Sequence, residues 1–91
     1  MTAPVEIYTT RYCGYCRMAK SLLTRKNVAF REIDVGNNPG LRAEMTARAD
    51  GGTSVPQIFI GATHVGGCDE LYALEHAGAL EKLLASEVAS S

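Results

Sequence analysis

Cys13-Gly14-Tyr15-Cys16 brings two thiols within about one helical turn of each other. At that spacing one sulfur can attack a disulfide and the other can resolve the mixed disulfide that results. The pair lies where an apolar run, Val5-Glu6-Ile7-Tyr8, gives way to a helical pattern. A Cys-x-x-Cys at a strand-to-helix junction is a redox motif, and a pair of inert packed thiols is a poorer account of the spacing. Only the thiolate is a good nucleophile, and an unperturbed cysteine titrates at about 8.5. Cys13 falls at the helix start, where unpaired N–H groups and the positive end of the helix dipole favour an anion. Arg11 and Arg17 add positive potential there. Cys16 sits one turn further in, where the field is weaker and burial opposes ionisation. Cys13 is therefore expected to attack and Cys16 to resolve.

The rest of the composition supports cycling thiols over structural ones. Cys68 is a third cysteine, which leaves one over in any secreted disulfide framework. A structural zinc site wants four ligands, and Cys68, His64 and His76 provide no second closely spaced pair. Nine Lys and Arg against ten Asp and Glu give a net charge of −1, so no basic excess points to nucleic acid. The apolar runs fall well short of the roughly 20 residues that span a bilayer. Met1-Thr2-Ala3-Pro4 has neither the basic region nor the apolar stretch of a signal peptide, and the expected setting is the reducing cytoplasm. With 91 residues, 46% of them hydrophobic, the chain suits one domain over residues 1–91 with a real core.

The elements that must position the thiols follow from periodicity. Val5 to Thr9 is β-branched and aromatic and predicts a central buried strand. The helix after it runs to about Lys26, with Cys16, Ala19, Leu22 and Leu23 inward, and Asn27 stops it. Ala29 to Val35 alternates as a second, less buried strand. Asn38 and Pro39 predict an N-cap and first position of a helix whose buried face is Leu41, Met45 and Ala49, ended by Asp50-Gly51-Gly52. Gln57 to Ile60 and Thr63 to Val65 flank Gly61-Ala62 as a hairpin. Asp69 is placed to cap a helix over Glu70 to Ala77, closed by Gly78. A last helix carries Leu80, Leu83, Leu84 and Val88, and the final Ala-Ser-Ser is expected to fray. The order β-α-β-α-β-β-α plus a C-terminal helix predicts an α/β fold. In it, two parallel βαβ halves and an antiparallel hairpin form a four-stranded mixed sheet with helices on both faces.

Two further segments carry chemistry. Val55-Pro56 stands between a glycine-rich loop and a strand. It is either an ordinary trans proline opening that strand or a cis bond that turns the Val55 N–H and C=O outward. Those groups would pair with a substrate peptide as an added short strand. Gly66-Gly67-Cys68-Asp69 is either a plain hairpin exit and helix cap, or a place where backbone approaches a ligand. In the second case a helix start offers N–H groups to a carboxylate and Asp69 receives an ammonium. Cys68 is either a small packed residue or a site of oxidation beside that groove.

Taken together these segments resemble the glutaredoxins. The resemblance rests on Ile7-Tyr8-Thr9 running into Cys13-Gly14-Tyr15-Cys16, on Ser54-Val55-Pro56-Gln57-Ile58-Phe59-Ile60, and on Gly66-Gly67-Cys68-Asp69-Glu70-Leu71. It covers nearly the whole chain in order and is similar above all to the small bacterial dithiol members. It implies a thioredoxin-like fold, a cis proline at Pro56, and glutathione as co-substrate. Tyr15, Val55, Pro56, Gly67, Cys68 and Asp69 would then line the glutathione groove. Asp69 and the amides around Cys68 would take the γ-glutamyl end, and Val55 the cysteinyl backbone. The implied partners are glutathione and glutathionylated or disulfide-containing proteins, met by a monomer. Two departures stand out. Thr10 occupies the place where many members carry a Lys for the glycyl carboxylate; Arg11, the neighbouring cation, would substitute there as a glutathione-binding residue, although one step along an extended segment can turn a side chain to the other face. The usual Cys-Pro-Tyr-Cys is Cys-Gly-Tyr-Cys here, and a small residue at position 14 resembles dithiol members able to share a two-iron two-sulfur cluster across a dimer, held by the first cysteine and glutathione.

Overall fold

A computed structural model describes residues 3–89, with side chains through Ala85. Its elements are β1 (Val5–Thr9), α1 (Gly14–Arg25), β2 (Arg31–Asp34), α2 (Pro39–Arg48), β3 (Gln57–Ile60), β4 (Thr63–Gly66), α3 (Cys68–His76) and α4 (Leu80–Ala89). They build a four-stranded mixed sheet in the order β2-β1-β3-β4, so the fold class follows the sequence expectation. The side chain of Val88, and Ser90 and Ser91 altogether, lie outside the described residues.

Only one of the two expected parallel pairings forms. β1 and β2 are parallel, Ile7 opposite Glu32, as a βαβ crossover through α1 requires. β3 lies antiparallel to β1, with Ile7 opposite Ile58 and Val5 opposite Ile60. The α2 connection thus returns the chain across β1 reversed, and the second half is no parallel βαβ unit. The hairpin β3–β4 is antiparallel with a register shift at Ile58/Phe59.

Alternation along the two central strands divides the interior into two layers. Val5 and Ile7 of β1 and Ile58 and Ile60 of β3 face α1, α3 and α4, where they pack with Ala19, Leu22, Leu23, Leu71, Leu80 and Leu84. Tyr8 and Phe59 point to the opposite face and pack with Val35, Met45 and Ala49 beneath α2. Leu41, expected to be buried there, is only half-buried. The outer strand β2 is mostly exposed, as its charged sequence predicts. Helix ends follow local chemistry. The Asn38 side chain accepts from the Leu41 N–H at 3.0 Å with Pro39 at the first helical position, and Asn27 closes α1 at φ 58°. The third helix begins earlier than expected: Gly67 is its N-cap and Asp69 lies inside its first turn. The cap is therefore not Asp69; instead Glu70 folds back to accept from the Gly67 N–H at 2.7 Å.

Candidate functional site

The N-terminus of α1 presents Cys13 as its N-cap, in extended backbone, with the Cys16 N–H directed at the Cys13 sulfur at 3.2 Å. The donor thus points the positive end of its dipole at the sulfur, the arrangement of an N-cap side chain. Cys13 is half-buried, whereas Cys16 is 1% exposed. Two residues separate a half-buried sulfur from one in the core because position 16 falls on the inward stripe with Ala19, Leu22 and Leu23. Burial first, then hydrogen bonding to Cys13, push the Cys16 thiol up to about 12. Cys16 is therefore held protonated at neutral pH.

The loop before β3 closes over Cys13 from the other side. Val55–Pro56 is cis, and the Val55 carbonyl lies 3.8 Å from the Cys13 sulfur, within reach of its S–H. The Val55 N–H makes no hydrogen bond among the described residues. A groove of about 240 Å³ runs from this loop to the start of α3, lined by Tyr15, Val55, Pro56, Gly67, Cys68 and Asp69 together with Ser54 and Glu70. Six of the residues expected along it from the sequence are thus brought together. Gly66 makes the turn into α3 possible: its φ is +115°, and a Cβ there would lie 2.9 Å from Glu70 Oε1. Cys68 is buried at the first position of α3, and burial raises its thiol, with Asp69 and Cys13 adding negative charge nearby. Tyr15 is 61% exposed, and Tyr12 and Met18 are exposed as well.

Arg11 is not among the groove residues. It is exposed and lines a separate cavity of about 360 Å³ with Thr10, Tyr12, Asp34, Gly36, Asn37 and Arg42. Glu70 was missed by the sequence reading as a groove residue, although a glutamate three positions after an N-cap is a recognisable capping signal. Among the described residues no three His, Cys, Asp or Glu side chains are grouped to hold a metal ion, and no helix is long and apolar enough to cross a membrane.

Comparison with known proteins agrees with this geometry. The glutaredoxin family profile matches residues 5–65. A glutaredoxin from Pseudomonas aeruginosa is 60% identical over 83 residues, covering 91% of this chain and 98% of that protein. The solution structure of a glutaredoxin from Brucella melitensis is 55% identical, with a TM-score of 0.80 over 91% of this chain and 89% of that one. A buckwheat glutaredoxin–glutathione complex is 29% identical, with a TM-score of 0.82 over 93% of this chain and 79% of that one. With a redox thiol pair at a helix start, a cis proline facing it and a profile match across both, the chain belongs to the glutaredoxin family, whose members carry out thiol redox chemistry with glutathione.

Proposed function

We propose that this glutaredoxin reduces protein–glutathione mixed disulfides and protein disulfides, with Cys13 as nucleophile and Cys16 as resolving thiol. The observation that carries the assignment is the contrast between the two sulfurs. Cys13 opens to the surface at a helix N-cap, and Cys16 is buried with its thiol pushed up to about 12. In the first reaction the Cys13 thiolate attacks the glutathione sulfur of the mixed disulfide. The Cys13–glutathione disulfide forms, and the protein thiolate leaves and takes a proton. A second glutathione thiolate attacks that adduct, giving oxidised glutathione and restoring Cys13. With a protein disulfide, Cys13 bonds to one substrate sulfur and releases the other; Cys16 then gives up its proton and displaces the bound substrate thiol, leaving a Cys13–Cys16 disulfide that two glutathione thiols reduce, giving oxidised glutathione. Once Cys13 is in a disulfide it no longer carries charge, so one of the influences that raise the Cys16 thiol is removed at the step that uses it.

The glutathione moiety is assigned to the groove between Tyr15, the Val55–Pro56 loop and the Gly67-Cys68-Asp69 helix start. Support comes from the open Val55 N–H, the unfilled N-terminus of α3 and the glutathione complex of the buckwheat relative. Val55 pairs with the cysteinyl backbone as a short added strand, and Asp69 takes the γ-glutamyl ammonium. The setting assigned is the cytoplasm, where glutathione keeps thiols reduced.

Cys13→Ser is expected to lower both activities by more than about a thousandfold, as loss of a nucleophile does, while Cys16→Ser keeps reduction of glutathionylated peptides. Full activity of the Cys13 variant in a glutathione-coupled assay would remove the assignment. A second reading is favoured by one observation: a Cβ at Gly14 would meet nothing within 4 Å. The helix start next to Cys13 is thus uncrowded at position 14, and a two-iron two-sulfur cluster shared by two copies would be held there by Cys13 of each copy and glutathione. Anaerobic reconstitution with iron, sulfide and glutathione tests it; a colourless, monomeric product rules it out.

A further inference from the structure

Gln57 is a buried polar side chain that the groove itself does not use. It follows Pro56, is 5% exposed, and shares its strand face with Phe59. Its Nε2 donates to the Ser54 carbonyl at 3.0 Å and lies 3.4 Å from Ser54 Oγ. A carbonyl only accepts, so the amide nitrogen must face Ser54 and Oε1 must face His64, whose Nε2 is 2.6 Å away. That His64 nitrogen therefore carries a hydrogen and donates it. The His64 ring is stacked on Phe59, centroids 4.9 Å apart at 25°. The loop closes over the amide as well: a Cβ on Gly52 would stand 3.0 Å from Gln57 Nε2.

The Ser54–Val55 peptide bond is trans, Val55–Pro56 being the cis bond. In a planar trans peptide the C=O and the following N–H point in opposite directions. Holding the Ser54 carbonyl on Gln57 thus aims the Val55 N–H away from Gln57, and it has no hydrogen-bond partner among the described residues. Without Gln57 that peptide plane loses its anchor, and the donor loses its fixed direction. We propose that Gln57, itself oriented by His64, is a positioning residue that fixes the Ser54–Val55 peptide so that the Val55 N–H is presented to the glutathione backbone of the substrate. This rests on the assignment of Val55 as the pairing strand.

The test uses one peptide carrying two different mixed disulfides, one with glutathione and one with mercaptoethanol, which has no peptide groups to pair. The wild-type protein is expected to show a higher kcat/KM for the glutathione adduct. Gln57→Leu is expected to lower that preference ratio about tenfold, the size of one well-placed hydrogen bond, through KM for the glutathione adduct. His64→Phe keeps the stack on Phe59 but cannot donate, and it should lower the ratio in the same direction; His64→Gln, which can donate, should restore it. A Gln57→Leu protein with the wild-type ratio overturns the proposal. Should that variant fail to fold, a wild-type ratio in His64→Phe overturns it instead. A wild-type protein with no preference between the adducts removes the groove assignment itself and this proposal with it, and needs no variant to detect.

Discussion

Two helix N-termini frame the groove, and they are finished in opposite ways. α1 is capped by a sulfur: Cys13 accepts the Cys16 N–H, and no acidic residue occupies the first turn. α3 is capped by Gly67, which has no side chain to accept anything, and carries Asp69 and Glu70 in its first turn. At α1 the free donors are turned on the protein's own reacting atom. At α3 the donors are left open, and one acid, Glu70, is folded back on the Gly67 N–H while Asp69 stays exposed. On the proposed function, the first end would hold a charge of the protein, and the second would receive a zwitterionic end of the ligand, a carboxylate at the amides and an ammonium at Asp69.

The sharpest test of the first half of that contrast is alkylation. With its thiol pushed up to about 12, Cys16 at pH 8 should react with iodoacetamide roughly a thousandfold more slowly than an ordinary thiol. Mass spectrometry of the reduced protein should find the label on Cys13 first, and comparable labelling of both would break the contrast. The same shift has a stability consequence. Folding raises this thiol from 9.0 to about 12, so the folded state binds the proton more tightly. The contribution is full below about pH 9 and is lost as pH rises toward 12. Lys26, raised by Glu81 and Glu75, is lost over an overlapping alkaline range. Urea midpoints between pH 8 and 11 should therefore fall more for reduced wild type than for Cys16→Ala, which keeps the Lys26 cluster.

The second half is tested at α3. Asp69→Ala should raise KM for a glutathionylated peptide about 10- to 100-fold, the range of a charge-assisted hydrogen bond, with the thermal midpoint little changed because Asp69 is exposed. An unchanged KM would mean the ammonium is held elsewhere. Gly66→Ala acts on the same helix start through the backbone. A side chain at φ +115°, 2.9 Å from Glu70 Oε1, must displace the carboxylate that caps Gly67. A loss of about 1–3 kcal/mol in urea unfolding is expected.

How far these ends could be read from the sequence differs for a physical reason. The α1 terminus was legible because a Cys-x-x-Cys fixes its own register: the strand before it and the stripe of Cys16, Ala19, Leu22 and Leu23 leave Cys13 as the cap. The α3 terminus was misread by two residues, since Asp is a favoured N-cap and Gly67 gives no side-chain signal. Only Glu70, three positions on, marks the real start. The antiparallel placing of β3 was missed too, because a buried apolar run such as Gln57-Ile58-Phe59-Ile60 reads the same in either direction. The Gln57–His64 link could not be read at all: it needs β3 and β4 paired before the two side chains meet.

Arg11 supplies the smallest expected effect and the clearest limit to the resemblance. A cation serving the glycyl end should share a continuous surface with the groove. Arg11 instead lines the cavity with Thr10, Tyr12, Asp34, Gly36, Asn37 and Arg42. There it is exposed, facing water that screens it, and an exposed ionic contact contributes at most about 1 kcal/mol. Arg11→Ala should accordingly raise KM for glutathionylated peptide less than about fivefold, well below the change for Asp69→Ala, and the small difference should shrink further as salt is raised. Thr10→Lys restores the cation one position back, between the end of β1 and the turn at Arg11. If that variant lowers KM below wild type while Arg11→Ala leaves it unchanged, the cavity holding Arg11 is no part of the glutathione site. If Arg11→Ala costs as much as Asp69→Ala, the two cavities act as one surface, and the contrast between the helix ends is incomplete without the arginine.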